Sequence, residues 1–269
     1  MNHINEHNRR AWDERVQRGN WHTETARDKD FLDPLAVIDD CGWLGGNVRG
    51  QRVLCLAAGG GKHGVLLAVA GAAVTVVDIS PRMLELDRRM AAERGVNVRT
   101  IETSMDDLSM LAEAAFDVVI QPVSTCYVPD VLAVYREVAR VTAPGGLYIS
   151  QHKQPASLQA EVMPSARGFA LTEPYYRTGP LPPVIDGCLH REAGTMEFLH
   201  RWEELVGGLC RAGFAVEDLV EPRHGDVHSE PGTFKHRSAF LPPFVTLKAR
   251  RVADSDRDGA KPKLWIPSE

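Results

Sequence analysis

The chain of 269 residues carries 36 acidic and 31 basic side chains, a formal net charge of −5 and a pI near 6.1. This balance provides no basic field for nucleic acid or anionic lipid, so we expect neither as a partner. The longest apolar stretch, residues 64–77, contains Gly71 and is too short to span a bilayer, so we expect no membrane segment.

The cysteines and the N-terminal residues indicate the compartment. The five cysteines form no CxxC pair, which favours reduced thiols over a disulfide framework or a zinc site. The opening MNHINEHNRRAWDERV contains no apolar segment of a signal peptide. We therefore expect a cytoplasmic protein. The cysteines are Cys41, Cys55, Cys126, Cys188 and Cys210.

Residues 50–151 alternate between the period of a strand and that of a helix. Five strands are predicted in order, at RVLCLAA, AAVTVVD, NVRTIE, FDVVI and GGLYIS. Ser80 and Pro81 begin a helix after the second strand, and Gly95 ends it; a later helix starts after Asp130 and stops before Pro144. This alternation predicts βαβ units and a parallel sheet.

The flanking regions have a different character. Before the first strand, HNRRAWDERV has helical character, with Trp12 and Val16 one turn apart. Residues 152–196 are rich in Pro, Gly and Tyr and are interpreted as an insertion. A helix from Trp202 follows, closed by Gly213, and then two late strands, FAVEDLVE and FVTLKARR. We predict one domain over residues 1–252 and a mobile tail over residues 253–269.

The stretch VLCLAAGGGKHG joins a buried strand to three glycines. It is not a triphosphate loop, because Gly61-Lys62 is followed by His63 and the required earlier glycine is Leu56. A GxGxxG pattern is present as Gly59, Gly61 and Gly64, and Asp78 ends the next strand. A carboxylate there suits the ribose hydroxyls of any adenosine ligand, so this motif alone does not separate NAD from other nucleosides.

Over residues 8–252 the sequence resembles the class I S-adenosylmethionine-dependent methyltransferases of the small-molecule type. VLCLAAGGG is similar to the family's first strand and turn; VTVVDIS, FDVV, VTAPGGLYIS and HRWEELVGGLCRAGFAVEDLVEPR follow in the family's order. The resemblance implies an α/β fold with a doubly wound, seven-stranded, mostly parallel sheet (Rossmann-like) and an antiparallel last strand. It also implies S-adenosylmethionine as cofactor.

The resemblance assigns a donor site at the carboxyl ends of the strands. Two positions depart from the family: Cys55 replaces the usual acid of the first strand, and Ala57 replaces the first glycine. In the family an acid after strand three often reaches the adenine, and this chain has Ser104 at that position. Two alternatives stay open: Asp106 substitutes from nearby, or Ser104 acts together with the Met105 backbone. The expected cofactor-binding residues are Ala57, Gly59, Gly61, Asp78, Ile79, Ser104, Met105, Asp106 and Gln121.

Transfer from a sulfonium needs mainly alignment, and a base only where the acceptor is protonated. His152, expected just past strand five, and Tyr127 are the catalytic candidates, with a supporting or solvent-exposed role equally open for His152. No metal is expected, because Gln121 stands where metal-dependent catechol enzymes have aspartate, and His224 and His228 are expected in a loop.

The favoured function is methyl transfer to a small organic acceptor by direct displacement. Residues 1–49 would act as a helical lid, and residues 152–196, with Tyr175 and Tyr176, would form part of the acceptor pocket. Two alternatives stay open: an NAD(P)-dependent oxidoreductase, from the GxGxxG pattern, and a non-catalytic nucleoside-binding relative, from Cys55 and Ala57. A homodimer is also left open.

Overall fold

The computed structural model describes residues 2–184 and 190–252. Cys188 and the expected tail, residues 253–269, lie outside the described residues. No helix within the described ranges is both long enough and apolar enough to cross a membrane.

One seven-stranded sheet organises the chain, in the order β3-β2-β1-β4-β5-β7-β6. The first five strands run parallel, and β7 runs antiparallel to both β5 and β6. The prediction of a mostly parallel sheet with an antiparallel last strand is therefore confirmed. The strands are β1 (Arg52–Leu56), β2 (Ala73–Asp78), β3 (Val98–Glu102), β4 (Phe116–Gln121), β5 (Thr142–Lys153), β6 (Phe214–Val220) and β7 (Phe244–Arg251).

Helices flank this sheet and precede it. Three 3₁₀ turns accompany them, at Trp21–Thr23, Asp28–Phe31 and Thr125–Tyr127, and a π turn at Glu203–Gly207 runs into the seventh helix. The helices are α1 (His3–Arg18), α2 (Pro34–Ile38), α3 (His63–Val69), α4 (Pro81–Arg94), α5 (Val131–Val141), α6 (Pro155–Gln159), α7 (Gly208–Arg211) and α8 (Phe234–Phe240).

The ends of α4 show why its bounds were predictable. The Ser80 side chain accepts a hydrogen bond from the Met83 amide at 3.1 Å, and Pro81 takes the first helical position. Gly95 closes the helix at a left-handed φ of 65°. These local contacts fix the helix directly after Asp78, so the carboxyl end of β2 faces the start of α4.

Alternation along β1 divides the core into two layers. Leu54 and Leu56 pack with α5 and the α7 region on one face, while Val53 and Cys55 pack with α2, α3 and α4 on the other. Because Cys55 is fully buried in this second layer, burial raises the pKa of its thiol and keeps it neutral. Position 55 thus supplies no carboxylate beneath the glycine loop.

The extent of β5 and the presence of two short helices differ from the sequence prediction. β5 extends to Lys153, because seven of its residues pair with β7, including His152 opposite Val245. His152 therefore lies inside the strand rather than past it, and the irregular segment begins at residue 154. The short helices α6 and α8 were also not predicted, since neither is long enough to show a helical period.

Candidate active site

A cavity of about 710 Å³ opens at the carboxyl ends of β1 to β4, beneath α1 and the segment after α6. Its floor is the glycine loop, and its walls combine apolar and aromatic side chains with a few polar groups. The residues that line it include Asn8, Trp12, Trp21, His22, Ala57, Gly59, Gly60, Lys62, His63, Asp78, Ile79, Met83, Ser104, Met105, Val123, Tyr127, His190, Glu192, Phe234 and Phe244.

Two buried carboxylates hold the glycine loop from below. Asp78 Oδ2 accepts a hydrogen bond from the Gly59 amide at 2.9 Å. Asp87, on α4, accepts from the amides of Gly60 at 2.9 Å and Gly61 at 3.0 Å. Three successive amides are thus already occupied by carboxylates. The loop therefore does not offer the cluster of free N–H groups with which dinucleotide and triphosphate loops bind phosphate.

The loop also needs close packing and an unusual backbone. A Cβ atom on Gly64 would lie 2.4 Å from Val76 Cγ2, so only glycine lets α3 approach β2 this closely. Ala57 has a φ of 48°, a left-handed conformation that glycine adopts without strain and alanine does not. The chain therefore makes the turn after β1 in spite of the substitution at position 57.

Asp78 is the best-placed group for a ribose. Its carboxylate lines the cavity, and its second oxygen accepts from the Ser80 amide at 2.9 Å. Burial raises the pKa of this carboxyl to about 6, while the amides of Ser80 and Gly59 act in the opposite direction. The Ser80 hydroxyl in turn donates to Asp13 of α1 at 2.7 Å, which ties the N-terminal helix to this corner of the site.

The other expected donor-site residues divide into two groups. Ile79, Ser104 and Met105 line the cavity together with Ala57 and Gly59. Three others lie outside the lining, each with a partner of its own. Gly61 accepts a hydrogen bond from the Ala26 amide at 3.1 Å, Asp106 accepts from the Ser104 hydroxyl, and Gln121 Nε2 donates to Ser124 Oγ at 2.9 Å.

His152 is not brought to the cavity. Its ring is fully buried, Nδ1 lies 2.8 Å from Thr125 Oγ1, and Nε2 lies 2.8 Å from Ser150 Oγ. Burial lowers the pKa of this imidazole to about 3. Because both nitrogens are engaged inside the protein, His152 has none free to accept a proton from a ligand, and the general-base role expected from the sequence does not fit this geometry.

Tyr127, the other catalytic candidate, does line the cavity. The Trp12 ring meets it edge-on with centroids 5.7 Å apart, and the Glu192 carboxylate lies close enough to contribute to the raised pKa of the Tyr127 hydroxyl. Burial, reinforced by Glu192, raises the pKa of this hydroxyl well above its ordinary range. Tyr127 therefore stays protonated and acts as a hydrogen-bond donor rather than a base.

A buried network of four charges stands behind Tyr127. Lys153 Nζ lies 2.5 Å from Glu192 Oε2 and 2.9 Å from Glu197 Oε1, and Arg191 Nε lies 2.6 Å from Glu197 Oε2. Burial alone would raise the pKa of Glu192, but Lys153 holds it below its ordinary range. Two cations balance two anions here, so Glu192 presents a fixed, ionised carboxylate to the cavity.

Two histidines that the sequence analysis did not single out complete this wall. His22 Nε2 lies 3.6 Å from Glu192 Oε1, and the His190 ring stacks on Phe234 with centroids 5.2 Å apart. Burial lowers the pKa of His22 to about 4 and that of His190 to about 3. Both rings line the cavity and are neutral, and in each ring Nδ1 is buried without a hydrogen-bond partner in the described structure.

Comparison with known proteins identifies the family. An uncharacterized methyltransferase of Bacillus subtilis, YbaJ, is 34% identical over 240 residues, which cover 84% of this chain and 94% of that protein. The chain belongs to the class I S-adenosylmethionine-dependent methyltransferases. Residues 53–146 of this methyltransferase also match a family model described as a methyltransferase domain.

One further relative and one solved structure are similar to this chain. A ubiquinone biosynthesis O-methyltransferase of Xanthomonas euvesicatoria is 34% identical over 173 residues, 64% of this chain and 66% of that protein. A crystal structure of an S-adenosylmethionine-dependent methyltransferase from Mesorhizobium loti has the same fold, with a TM-score of 0.61 and 23% identity. It covers 76% of this methyltransferase and 93% of the other chain.

The cofactor is S-adenosylmethionine, and the residues present suit it. A carboxylate at Asp78 is available for ribose hydroxyls, whereas the amides of Gly59, Gly60 and Gly61 face Asp78 and Asp87 rather than a phosphate. A loop backed by two carboxylates is better suited to a cationic sulfonium than to an anionic pyrophosphate. The oxidoreductase alternative, which rested on the GxGxxG pattern, is not supported by this geometry.

Proposed function

We propose that this methyltransferase methylates a small organic acceptor bound in the same cavity as the donor. The observation that carries the proposal is the cavity itself. It is a single space of about 710 Å³ that reaches from Asp78 and Ser104 to Glu192 and Phe234. A concave, largely apolar space with a few convergent polar groups is typical of small-molecule sites.

The donor side is formed by the strand ends. Asp78 would accept hydrogen bonds from both ribose hydroxyls, and Ile79, Ser104 and Met105 would surround the adenine. Ala57 and Gly60 would lie beside the amino-acid portion. When bound, S-adenosylmethionine supplies an activated methyl group, and the chain supplies orientation and exclusion of water.

The acceptor side is formed by α1, the turn at Trp21–Thr23 and the residues around position 190. Val123, Phe234 and Phe244 offer apolar contact, while the imidazole rings of His22 and His190 offer polar contact. This combination favours an acceptor with an apolar body and a proton-bearing nucleophile. As the nucleophile forms its bond to the methyl carbon and the carbon–sulfur bond breaks, the His22 imidazole would accept the released proton.

The geometry around His22 supports its assignment as base. Its Nε2 lies 3.6 Å from Glu192 Oε1. The negative charge of this carboxylate would stabilise the imidazolium formed by proton transfer. Glu192 is fixed in turn by Lys153. Tyr127 lines the cavity near the same carboxylate and would shape the space next to the methyl group.

The proposed function is tested by measuring formation of S-adenosylhomocysteine with separate acceptor classes. Phenols, amines, thiols and carboxylic acids form the small-molecule arms; duplex DNA, transfer RNA and an unstructured peptide form the macromolecular arms. We expect turnover in at least one small-molecule arm and no turnover in the macromolecular arms. Turnover with only a macromolecule would contradict the proposal.

A further inference from the structure

A carboxylate buried under the glycine loop has no direct contact with the cavity. Asp87 lies on α4 with its side chain fully buried and does not line the cavity. Its two oxygens accept the amides of two adjacent loop residues, Gly60 at 2.9 Å and Gly61 at 3.0 Å. No Lys or Arg forms an ion pair with it among residues 2–184 and 190–252, so the loop amides are its polar partners there.

Burying this charge is costly, which argues that its position matters. An ionised carboxylate inside a protein needs compensating hydrogen bonds, and an apolar residue of similar size would satisfy packing at less cost. The surrounding helix face is apolar, with Leu84, Met90 and Ala91 also buried. Only the backbone of the loop gains from a carboxylate at this point.

The position directly beneath the loop offers no alternative anion. Cys55 of β1 is buried close enough for the Asp87 charge to contribute to the raised pKa of its thiol, and it stays neutral. Ala57, with its φ of 48°, makes the turn under strain. The loop therefore starts from a strained residue, and because Asp78 accepts only the Gly59 amide, the amides of Gly60 and Gly61 depend on Asp87.

The strand order indicates which part of the ligand this loop serves. Ser104 follows β3, Asp78 ends β2, and the loop follows β1, in adjacent positions along one edge of the sheet. A ligand with its adenine at Ser104 and its ribose at Asp78 reaches the loop with its amino-acid portion. We propose that Asp87 is a positioning residue that holds the Gly60–Gly61 backbone in the shape that receives the amino-acid portion of the donor.

The experiment compares two ligands that differ only in that portion. S-adenosylhomocysteine and 5′-methylthioadenosine are titrated by calorimetry into wild type, Asp87→Asn and, as a matched control, Glu85→Gln. Glu85 lies on the same helix, but its side chain faces solvent in an ion pair with Arg88. For Asp87→Asn we expect S-adenosylhomocysteine to bind at least about tenfold more weakly and 5′-methylthioadenosine to change less than about threefold.

Glu85→Gln should leave the affinities for both ligands unchanged. Equal weakening of both ligands by Asp87→Asn would mean a general structural role, and unchanged binding of both would mean no role; either result overturns the proposal. Should Asp87→Asn not fold, amide hydrogen exchange of the ligand-free wild type decides. The Gly61 amide is the one to follow, because the Gly60 amide also donates to the Met83 carbonyl at 3.1 Å. We expect Gly61 to be protected before any ligand is added, and its rapid exchange would overturn the proposal.

Discussion

Asn8 and Met196 exchange two hydrogen bonds: Asn8 Nδ2 donates to the Met196 carbonyl at 3.1 Å, and the Met196 amide donates to Asn8 Oδ1 at 2.8 Å. Asn8 Nδ2 also donates to the Tyr127 carbonyl at 3.0 Å. One buried asparagine of α1 thus joins the loop after β4 to the segment that carries Glu192. The N-terminal helix is therefore built into both walls of the cavity.

Removal of residues 1–24 tests whether this helix serves as a lid. The deletion removes Asn8, Trp12, His22 and the Asp13 contact to Ser80, so we expect a folded protein with weakened cofactor binding and little or no methyl transfer. Calorimetry with S-adenosylhomocysteine and thermal unfolding provide the measurements. Arg18→Ala, an exposed change on the same helix, should leave both unchanged. A lower melting temperature with full activity would mean that the helix only packs on the sheet.

The second prediction concerns Asp78. Asp78→Ala removes the proposed acceptor for two ribose hydroxyls and a partner of the Gly59 amide, so S-adenosylhomocysteine binding should weaken by roughly 1.5–3 kcal/mol. Glu102→Gln is the matched control, because Glu102 pairs in register with Asp78 on β3 but is exposed. Unchanged affinity of Asp78→Ala in calorimetry would remove Asp78 from the donor site.

Stability should depend on pH through the two buried carboxyls. Burial raises the pKa of Asp87 to about 7 and that of Asp78 to about 6, and the Asp13 charge contributes to the latter while Arg88 opposes the former. The folded protein therefore holds these protons more tightly than the unfolded chain. Their contribution to stability is complete below about pH 4 and is lost as the pH rises through 6 and 7.

Asp87→Asn should consequently reduce this pH dependence. Urea unfolding of wild type and variant at about pH 5 and about pH 8 gives the free energies of unfolding, and the wild type should lose more stability between the two values. Asp78 and every other titrating group are present in both proteins, so the difference reports on Asp87 and on its charge interaction with Asp78. An identical loss in both proteins would show that Asp87 has no raised pKa.

The fourth prediction concerns His22, which we expect to affect turnover of the acceptor but not binding of the donor. His22→Gln should reduce turnover of an acceptor found in the screen by about 100-fold, in the range of general base catalysis, and leave S-adenosylhomocysteine affinity unchanged. Between about pH 6 and pH 8, His22 should not limit the wild-type rate, because burial lowers its pKa to about 4. His3→Gln, an exposed change on α1, is the control. Full activity of His22→Gln would exclude it as the base.

Turnover should not require a metal ion. The described residues hold no group of three or more His, Cys, Asp and Glu side chains arranged to bind one, and His224 and His228 lie in a loop, as expected from the sequence. Treatment with a chelator followed by dialysis should leave the rate of S-adenosylhomocysteine formation unchanged. Loss of that activity, with recovery on adding a single divalent ion, would contradict this prediction.

The sheet, α4 and the acid at the end of β2 could be predicted because their signals are local. Strand periodicity, the Ser80–Pro81 start and Gly95 end of α4, and the acid at the end of β2 each lie within a few residues of what they determine. Asp87 could not be found in this way. In the stretch ELDRR it resembles one charge on a solvated helix face, and only the approach of the glycine loop shows that it is buried.

The cavity wall on the proposed acceptor side could not be predicted from the sequence, for a related reason. His22, His190 and Glu192 come from irregular segments and line one cavity only in the folded chain, where Glu192 Oε1 lies 3.6 Å from His22 Nε2. His152 was misplaced because the length of β5 depends on pairing with β7, about ninety positions later along the chain. Long-range pairing of this kind leaves no periodic signal at the residue it affects.

Because β7 lies between β5 and β6, the strands of the sheet have to pair in a particular order as the chain is synthesised. Residues 52–153 supply five adjacent strands, including Asp78 and the helix that carries Asp87, before the remaining strands leave the ribosome. β6 joins the sheet only through β7, so it must wait for Phe244–Arg251. We expect β1 to β5, with the proposed donor site, to form first in the nascent chain. The proposed acceptor side is completed only when β7 pairs with β5.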